Sequence, residues 1–251
     1  MKLGVLLPLL CGPYFLLGTA YGSPTQAIKK TSNWHVELMV RTRINPSGLS
    51  FRPSLAYRLP LSRSRHILLR NTHIGVGVTT PVSPASFHPG LFLKIMPITP
   101  LIFRITARQL RYFGVFGNLV TYSESEPQWH PETRGGEITN DRHETGYRVQ
   151  AETRLRLVYG PAIVLGMYDH SWIGANIPEN HHWYDSTTDL LYAQDDRMHR
   201  LVITAGASLI GQPKSQKFLM VGARWQGKWS GITDVRRQMM GVILFWRPGW
   251  L

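Results

Sequence analysis

Ser86 and His88 stand two residues apart in a sequence of 251. In an extended segment both would project to one face, where the imidazole could take the hydroxyl proton and create a nucleophile. Pro81, Pro84 and Pro89 crowd the same stretch and argue against a regular strand there. Asp169–His170 and His170–Ser171 have residue types that activate water or a hydroxyl, but neighbours in a strand point to opposite faces. The run Glu179, His181, His182, Asp185 and Asp189 offers metal-ligand types at spacings that match no defined site. There is no glycine-rich phosphate loop, CxxC pair or HExxH helix. The sequence therefore assigns no catalytic residue, no metal and no cofactor.

A larger set of charged residues is ordered by period. From Tyr147 to Leu157 the chain reads YRVQAETRLRL. Tyr147, Val149, Ala151, Thr153, Leu155 and Leu157 alternate with Arg148, Gln150, Glu152, Arg154 and Arg156. A strand gives these residues one apolar and one charged face, whereas a helix would scatter the arginines around its circumference. The length suits a tilted bilayer crossing of roughly 9–11 residues. The same alternation elsewhere puts Glu37, Arg41, Arg43, Arg52, Arg58, Lys94, Arg104, Arg108, Arg148, Glu152, Arg154, Arg156 and Arg224 on one side, where they are expected to line a lumen. An Arg facing lipid at mid-bilayer costs roughly 2–4 kcal/mol. Slipping the Tyr147–Leu157 strand by one residue would turn three arginines outward, at an upper bound of roughly 6–12 kcal/mol. Eleven cations in this set face two acids. That excess calls for inward acids from elsewhere, backbone carbonyls, water or anions.

The elements that position these groups follow in order. Strands are expected at Trp34–Ile44, Leu49–Leu59, Ile67–Thr79, Gly90–Met96, Leu101–Phe113, Tyr147–Leu157, Ala162–Ile173, His199–Ile210, Lys217–Trp229 and Thr233–Trp246. Connections after the second, fourth, sixth and eighth are short. The long loops Gly114–Arg142 and Gly174–Met198 then share the opposite side, an arrangement that an even strand number permits. Residues Thr187–Ala193 could form a strand extension or a short hairpin above the membrane; a full crossing there would make the count odd. Trp34, Tyr57, Tyr159, Trp246 and Trp250 fall at the turn side, and Tyr112, Tyr147, Trp172 and Trp229 at the loop side, as two interfacial girdles would require.

Met1–Lys2, the apolar run Leu3–Leu17 and the small residues Ala20 and Gly22 have the pattern of an export signal cut after Gly22. Cys11 is the only cysteine and lies inside that signal, so the expected mature chain has no disulfide and no thiol chemistry. Beyond it no run approaches the roughly 20 apolar residues of a membrane helix. A uniform charge of +13 would suggest nucleic acid, but here the arginines alternate with apolar residues in strand-like segments. The two long loops hold ten of the 15 acidic residues and three basic ones, so anionic, mobile loops are expected above a cationic barrel.

The alternation, the loop asymmetry, the girdles and the export signal resemble bacterial outer-membrane β-barrel proteins as a class, over nearly all of the chain beyond the signal. The resemblance implies an all-β, antiparallel transmembrane β-barrel of about ten strands, with short periplasmic turns and two long extracellular loops. Residues 1–22 would be a signal peptide, 23–33 an N-terminal segment, 34–247 a single barrel domain and 248–251 a C-terminal tail. It also implies an outer-membrane location, with the lipid bilayer, outer-leaflet lipids and small anions as partners, and no nucleic acid. The chain departs from the class at its end, where Trp250–Leu251 follows Phe245 and Trp246. The functional expectation is a structural or surface-interaction barrel with an Arg-rich, wet lumen. The alternative is a narrow, porin-like pore that favours anions. An outer-membrane hydrolase comes third; omptin-like proteases place Asp and His at the extracellular rim, near which Asp169–His170 falls.

Overall fold

The computed structural model describes residues 5–7, 33–44, 47–62, 64, 66–114, 119–122, 143–179, 181–185, 188, 190–211 and 218–247. Most of the expected signal peptide, nearly all of the first long loop, Asp189 and the C-terminal tail lie outside them, as do the side chains of Arg41 and Arg43. The strands are β1 (Val5–Leu7), β2 (Trp34–Ile44), β3 (Ser47–Pro60), β4 (His73–Thr79), β5 (Val82–Ser83), β6 (Ser86–Phe87), β7 (Gly90–Ile98) and β8 (Leu101–Phe113). They continue with β9 (Leu119–Tyr122), β10 (His143–Tyr159), β11 (Ala162–Ala175), β12 (His182–Asp185), β13 (Leu190–Ala193), β14 (Asp195–Ile210), β15 (Phe218–Ser230) and β16 (Arg236–Arg247). No helix occurs among the described residues.

The architecture is all-β and antiparallel. Ten long strands pair in the order β2, β3, β4, β7, β8, β10, β11, β14, β15, β16. Two of them, β2 and β8, occupy the spans expected from alternation alone. The third long strand is a correction, because it begins at His73 rather than Ile67. Ile67, Leu68 and Leu69 are consecutive apolar residues without a period of two, and the chain turns there. Leu69 N and Arg70 N both donate to His66 O, and Thr72 Oγ1 donates to Leu69 O at 2.9 Å. The proline-rich connection holds the small hairpin β5–β6, which bridges Phe51 of β3 and Tyr112 of β8.

Alternation decides which face is covered. Val36, Leu38, Leu55, Val76, Leu91, Phe103, Ile105, Leu157 and Ile203 are exposed on one face. Met39, Ser54, Ala56, Phe92, Thr106, Gln150, Glu152, Asp169, Ser171 and Thr204 are buried on the other. One cavity of about 1800 Å³ is bounded by residues from all ten long strands, so the sheet curls around its polar face. Among the described pairings none joins β2 to β16; the outer edge of β16 carries β1, through Val5–Leu7 against Leu244–Trp246.

The second long loop carries the short hairpin that the sequence allowed within Thr187–Ala193, but wider: β12–β13 begins at His182, and β9 from the first loop lies alongside β12 in a separate three-stranded sheet. Trp183, Leu190 and Tyr192 are fully buried there, because the inward side chains at the loop end of β8, β11 and β14 offer them an apolar seat.

Close approach on the curled face depends on Gly77 of β4. A Cβ there would meet Leu55 O, Ala56 Cα at 2.8 Å and Phe92 Cζ at 2.9 Å. Gly77→Val should therefore lower unfolding stability by about 1–3 kcal/mol through overpacking. The urea unfolding midpoint measures this, and an unchanged midpoint would show that the neighbours yield freely.

Candidate functional site

The concave face is crossed by a single row of cross-strand partners. Arg58 faces Gly75, Gly75 faces Lys94 and Lys94 faces Arg104. Arg104 faces Glu152, Glu152 faces Asp169 and Asp169 faces Arg200. Arg200 then faces Lys228, which faces Arg237. Residues directly opposite in an antiparallel pair are close enough for their side chains to interact, so the register itself assembles this belt. The two acids lie in the middle, with cations on both sides.

The pairs inside the belt are specific. Arg200 Nε donates to Asp169 Oδ2 at 2.6 Å and Arg200 Nη2 lies 2.5 Å from the same oxygen. Asp169 is fully buried. Arg154 clasps Glu152 from two residues along β10, with Nε 2.7 Å from Oε1 and Nη2 donating to Oε2 at 3.1 Å. The Nε contact is an ion pair lying off the hydrogen-bond direction. Arg104 stands over the Phe92 ring at 4.0 Å from its centroid. One row towards the loops, Arg148 donates to Ser171 Oγ from Nε at 3.3 Å and from Nη2 at 3.2 Å.

The cavity is bounded by eleven Arg or Lys residues and two acidic ones. Of the charged residues read from the sequence, Arg52, Arg58, Lys94, Arg104, Arg108, Arg148, Glu152, Arg154, Arg156 and Arg224 line it. Glu37 is half-buried on β2 opposite Ser54, which faces inward. The inward set read from the sequence lacks Arg200, Lys228, Arg237 and Arg70, and it lacks Asp169 and Asp185, which the sequence offered only as a hydrolase candidate and a metal-ligand type. Arg200 and Asp169 were within reach: Asp169 sits two residues from Ser171 and Met167, and its partner strand carries Arg200 on its charged side. Ile163, Leu165, Met167 and Ile173 share that inward face of β11 and hid its polarity.

The sheet of β9, β12 and β13 forms a cap packed at the loop end of the cavity, where Asp185 and Thr188 line it. Trp183 packs edge-on against Tyr112 at 6.0 Å and donates from Nε1 to Ala193 O at 2.9 Å. Lys228 Nζ reaches up from β15 to Thr188 O at 2.5 Å, and Thr188 Oγ1 donates to Asp185 Oδ2 at 3.0 Å. Thr233 Oγ1 ties the β15–β16 connection to Leu191 O at 2.9 Å. Asp196 accepts from Ser230 Oγ at 2.5 Å and from the backbone N–H groups of Gly231 at 3.2 Å and Ile232 at 3.0 Å. Asp185 and Asp196 are thus buried structural acids, not the solvated loop charges expected. Burial raises the Tyr192 phenol above its ordinary range.

The nucleophile and metal candidates separate. Ser86 and His88 both line the cavity, yet Ser86 Oγ shares a hydrogen with Ser83 Oγ at 2.8 Å. His88 packs edge-on against Tyr112 at 5.3 Å, and its Nε2 is buried without a hydrogen-bond partner among the described residues. Asp169 points inward, while His170 joins an outer cluster with its Nδ1 3.2 Å from His199 Nδ1 and its ring 4.3 Å from Trp172. Among the described residues no three His, Cys, Asp or Glu side chains come together as a metal site. His181 Nδ1 instead bonds Glu179 O at 3.0 Å.

The aromatic reading needs one correction: Tyr112 is 2% exposed and faces the cap rather than the outside. Trp34, Tyr147, Tyr159 and Trp172 are exposed on the outer side or at the turns, and the Trp246 and Trp250 side chains lie outside the described residues. No family model, curated protein or solved structure matches the chain.

Two outcomes follow from these contacts. Asp169→Asn leaves Arg200 charged opposite a neutral partner and should cost about 3–5 kcal/mol in urea unfolding. Asp169→Leu with Arg200→Leu should recover most of that loss, because no charge is then stranded. His88 lies between β6 and β7, and burial pushes its imidazole down to about 4 from 6.5, with Arg108, Arg148 and Arg52 adding to the depression and Asp185 opposing it. The unfolded chain therefore binds a proton that the folded one refuses. Stability is full above about 6.5 and falls as the pH drops towards about 4. Hydrogen exchange of the β12–β13 amides, corrected for the intrinsic rate, should show easier opening at pH 5 than at pH 7.5, and His88→Asn should flatten that difference.

Proposed function

We propose that the chain is an integral outer-membrane β-barrel, freed of its leader at Gly22, with a capped extracellular mouth and a structural or surface-interaction role. The observation that carries this reading is the inverted polarity of the sheet. Its convex face is a continuous field of exposed Val, Leu, Ile and Phe, far larger than the few hundred Å² a soluble monomer normally exposes. Its concave face carries the charge. Hydrocarbon is the solvent that such an outer surface fits, and the bilayer and outer-leaflet lipids are the partners it implies.

An open sheet edge has no place in hydrocarbon, since each unpaired backbone group there costs several kcal/mol. Removal of the leader takes β1 away from β16 and frees that edge for β2, which would close ten strands into a barrel. With the leader gone, both termini of the barrel lie on the turn side, which becomes periplasmic, and the cap faces outward. The cap supports a closed barrel over a standing pore. The cationic cavity supports the second reading, an anion-favouring conduit, once the cap is displaced. Neither reading involves nucleic acid.

Expressed in a Gram-negative host, the protein should sediment with outer membranes, migrate faster on gels before boiling than after, and begin at Ser23. In planar bilayers the intact protein should show no steady conductance, and removal of residues 181–193 should open small, anion-selective currents. Recovery wholly in the soluble periplasm would end the membrane reading; large steady currents from the intact protein would end the closed one.

A further inference from the structure

We infer that the cavity is a binding site for one anionic amphiphile, an alkyl chain bearing a carboxylate or phosphate head, admitted from the turn end. This goes beyond the closed-barrel reading and rests on the cavity and its cap rather than on insertion into a membrane.

The head site is the cationic wall. Arg104 Nε and Nη2 and Arg108 Nε are buried without a hydrogen-bond partner among the described residues. Arg104 has Phe92 beneath its guanidinium, with Lys94 opposite it on one side of the ladder and Glu152, already clasped by Arg154, on the other. Even with Asp169 and Glu37 added to Glu152 and Asp185, four carboxylates cannot neutralise eleven cations. Guanidinium groups in this state favour a forked contact with a planar or tetrahedral oxyanion, which satisfies charge and donors together.

The tail site lies across the cavity, in its turn-end half. Ile163, Phe218, Met220 and Ile243 form a buried apolar cluster with Leu165 and Phe245 packed on it, and all six line the cavity. A site that is cationic on one side and hydrocarbon on the other selects a molecule with both properties. At about 1800 Å³ the space exceeds the 300–1,000 Å³ of ordinary small-ligand pockets, leaving room for a long chain and water.

The entrance follows from the position of the cap. At the opposite end Ile67 and Leu68 are exposed and line the cavity mouth, and Arg70 lines it beside them. An apolar lip with a cation beside it suits the passage of an anionic amphiphile head first.

The test uses the full mature protein in a non-ionic detergent, with displacement of the fluorescent fatty acid cis-parinarate as readout. Palmitate and hexadecyl phosphate should displace it at one molecule per chain, and the tighter of the two identifies the preferred head. Hexadecanol, which keeps the chain, should be weaker by about tenfold or more, and inorganic phosphate, which keeps the head, should not compete. Arg104→Gln with Arg108→Gln should weaken palmitate by about tenfold or more and leave hexadecanol unchanged. Equal binding of palmitate and hexadecanol, full competition by phosphate, or an unaltered double variant would each overturn the inference. Should that variant fail to fold, a diazirine-bearing palmitate photolysed on the unmodified protein decides the matter. Labels on the inner residues of β11, β15 and β16 support the site, and labels confined to the outer face refute it. Conductance plays no part in this readout, so its failure leaves the closed-barrel reading standing, and the converse also holds.

Discussion

Register is the constraint on which the rest of this molecule depends. The sheet has apolar side chains on one face and arginine on the other, and side chains alternate with a period of two, so each strand has only one tolerable alignment with its neighbours. The belt from Arg58 to Arg237 is the visible product. Its central acids, Glu152 on β10 and Asp169 on β11, stand opposite one another, which would be repulsive in isolation. Arg154 and Arg200 resolve that repulsion by taking one carboxylate each. The flanking cations are spread over neighbouring strands and rows, where long side chains can lean along the cavity.

Much of this was legible in the sequence because alternation is a local property. Arg148, Gln150, Glu152 and Arg154 declare their face within a single segment, and β2 and β8 begin and end where their alternation does. The exceptions have physical reasons. On β11 both faces are largely apolar, so neither parity stands out, and Asp169 reads as a rim residue instead of a fully buried acid. Ile67–Leu69 supply hydrophobicity without period, and backbone bonds to His66 turn the chain before a strand can start.

The cap was harder to read because its signal is one of composition against expectation. Trp183, Tyr184, Leu190, Leu191 and Tyr192 are a dense apolar group inside a segment judged by its acids. A solvated loop has no use for five such residues in ten positions. Two of the acids that made the loop look solvated, Asp185 and Asp196, are the groups that satisfy backbone and hydroxyl donors beneath it. Composition averaged over a whole loop conceals this division of labour. Tyr112 followed the same rule in reverse: an aromatic at a strand end was assigned to the lipid interface, yet its parity matches Leu110, Arg108 and Thr106 on the inner face.

The bond from Lys228 Nζ to Thr188 O has a kinetic meaning. It connects the cap to the penultimate long strand, and Thr233 adds a second tie from the connection that leads into the last one. Trp183 meanwhile needs Tyr112, far earlier in the chain. The cap therefore joins elements from Tyr112 to Thr233, and loop-closure entropy delays such contacts until their neighbours are in place. It can seat only on a sheet that is already nearly complete. Burial of Trp183 consequently serves as an intrinsic reporter that the strands from β8 to β15 have come together beneath the cap.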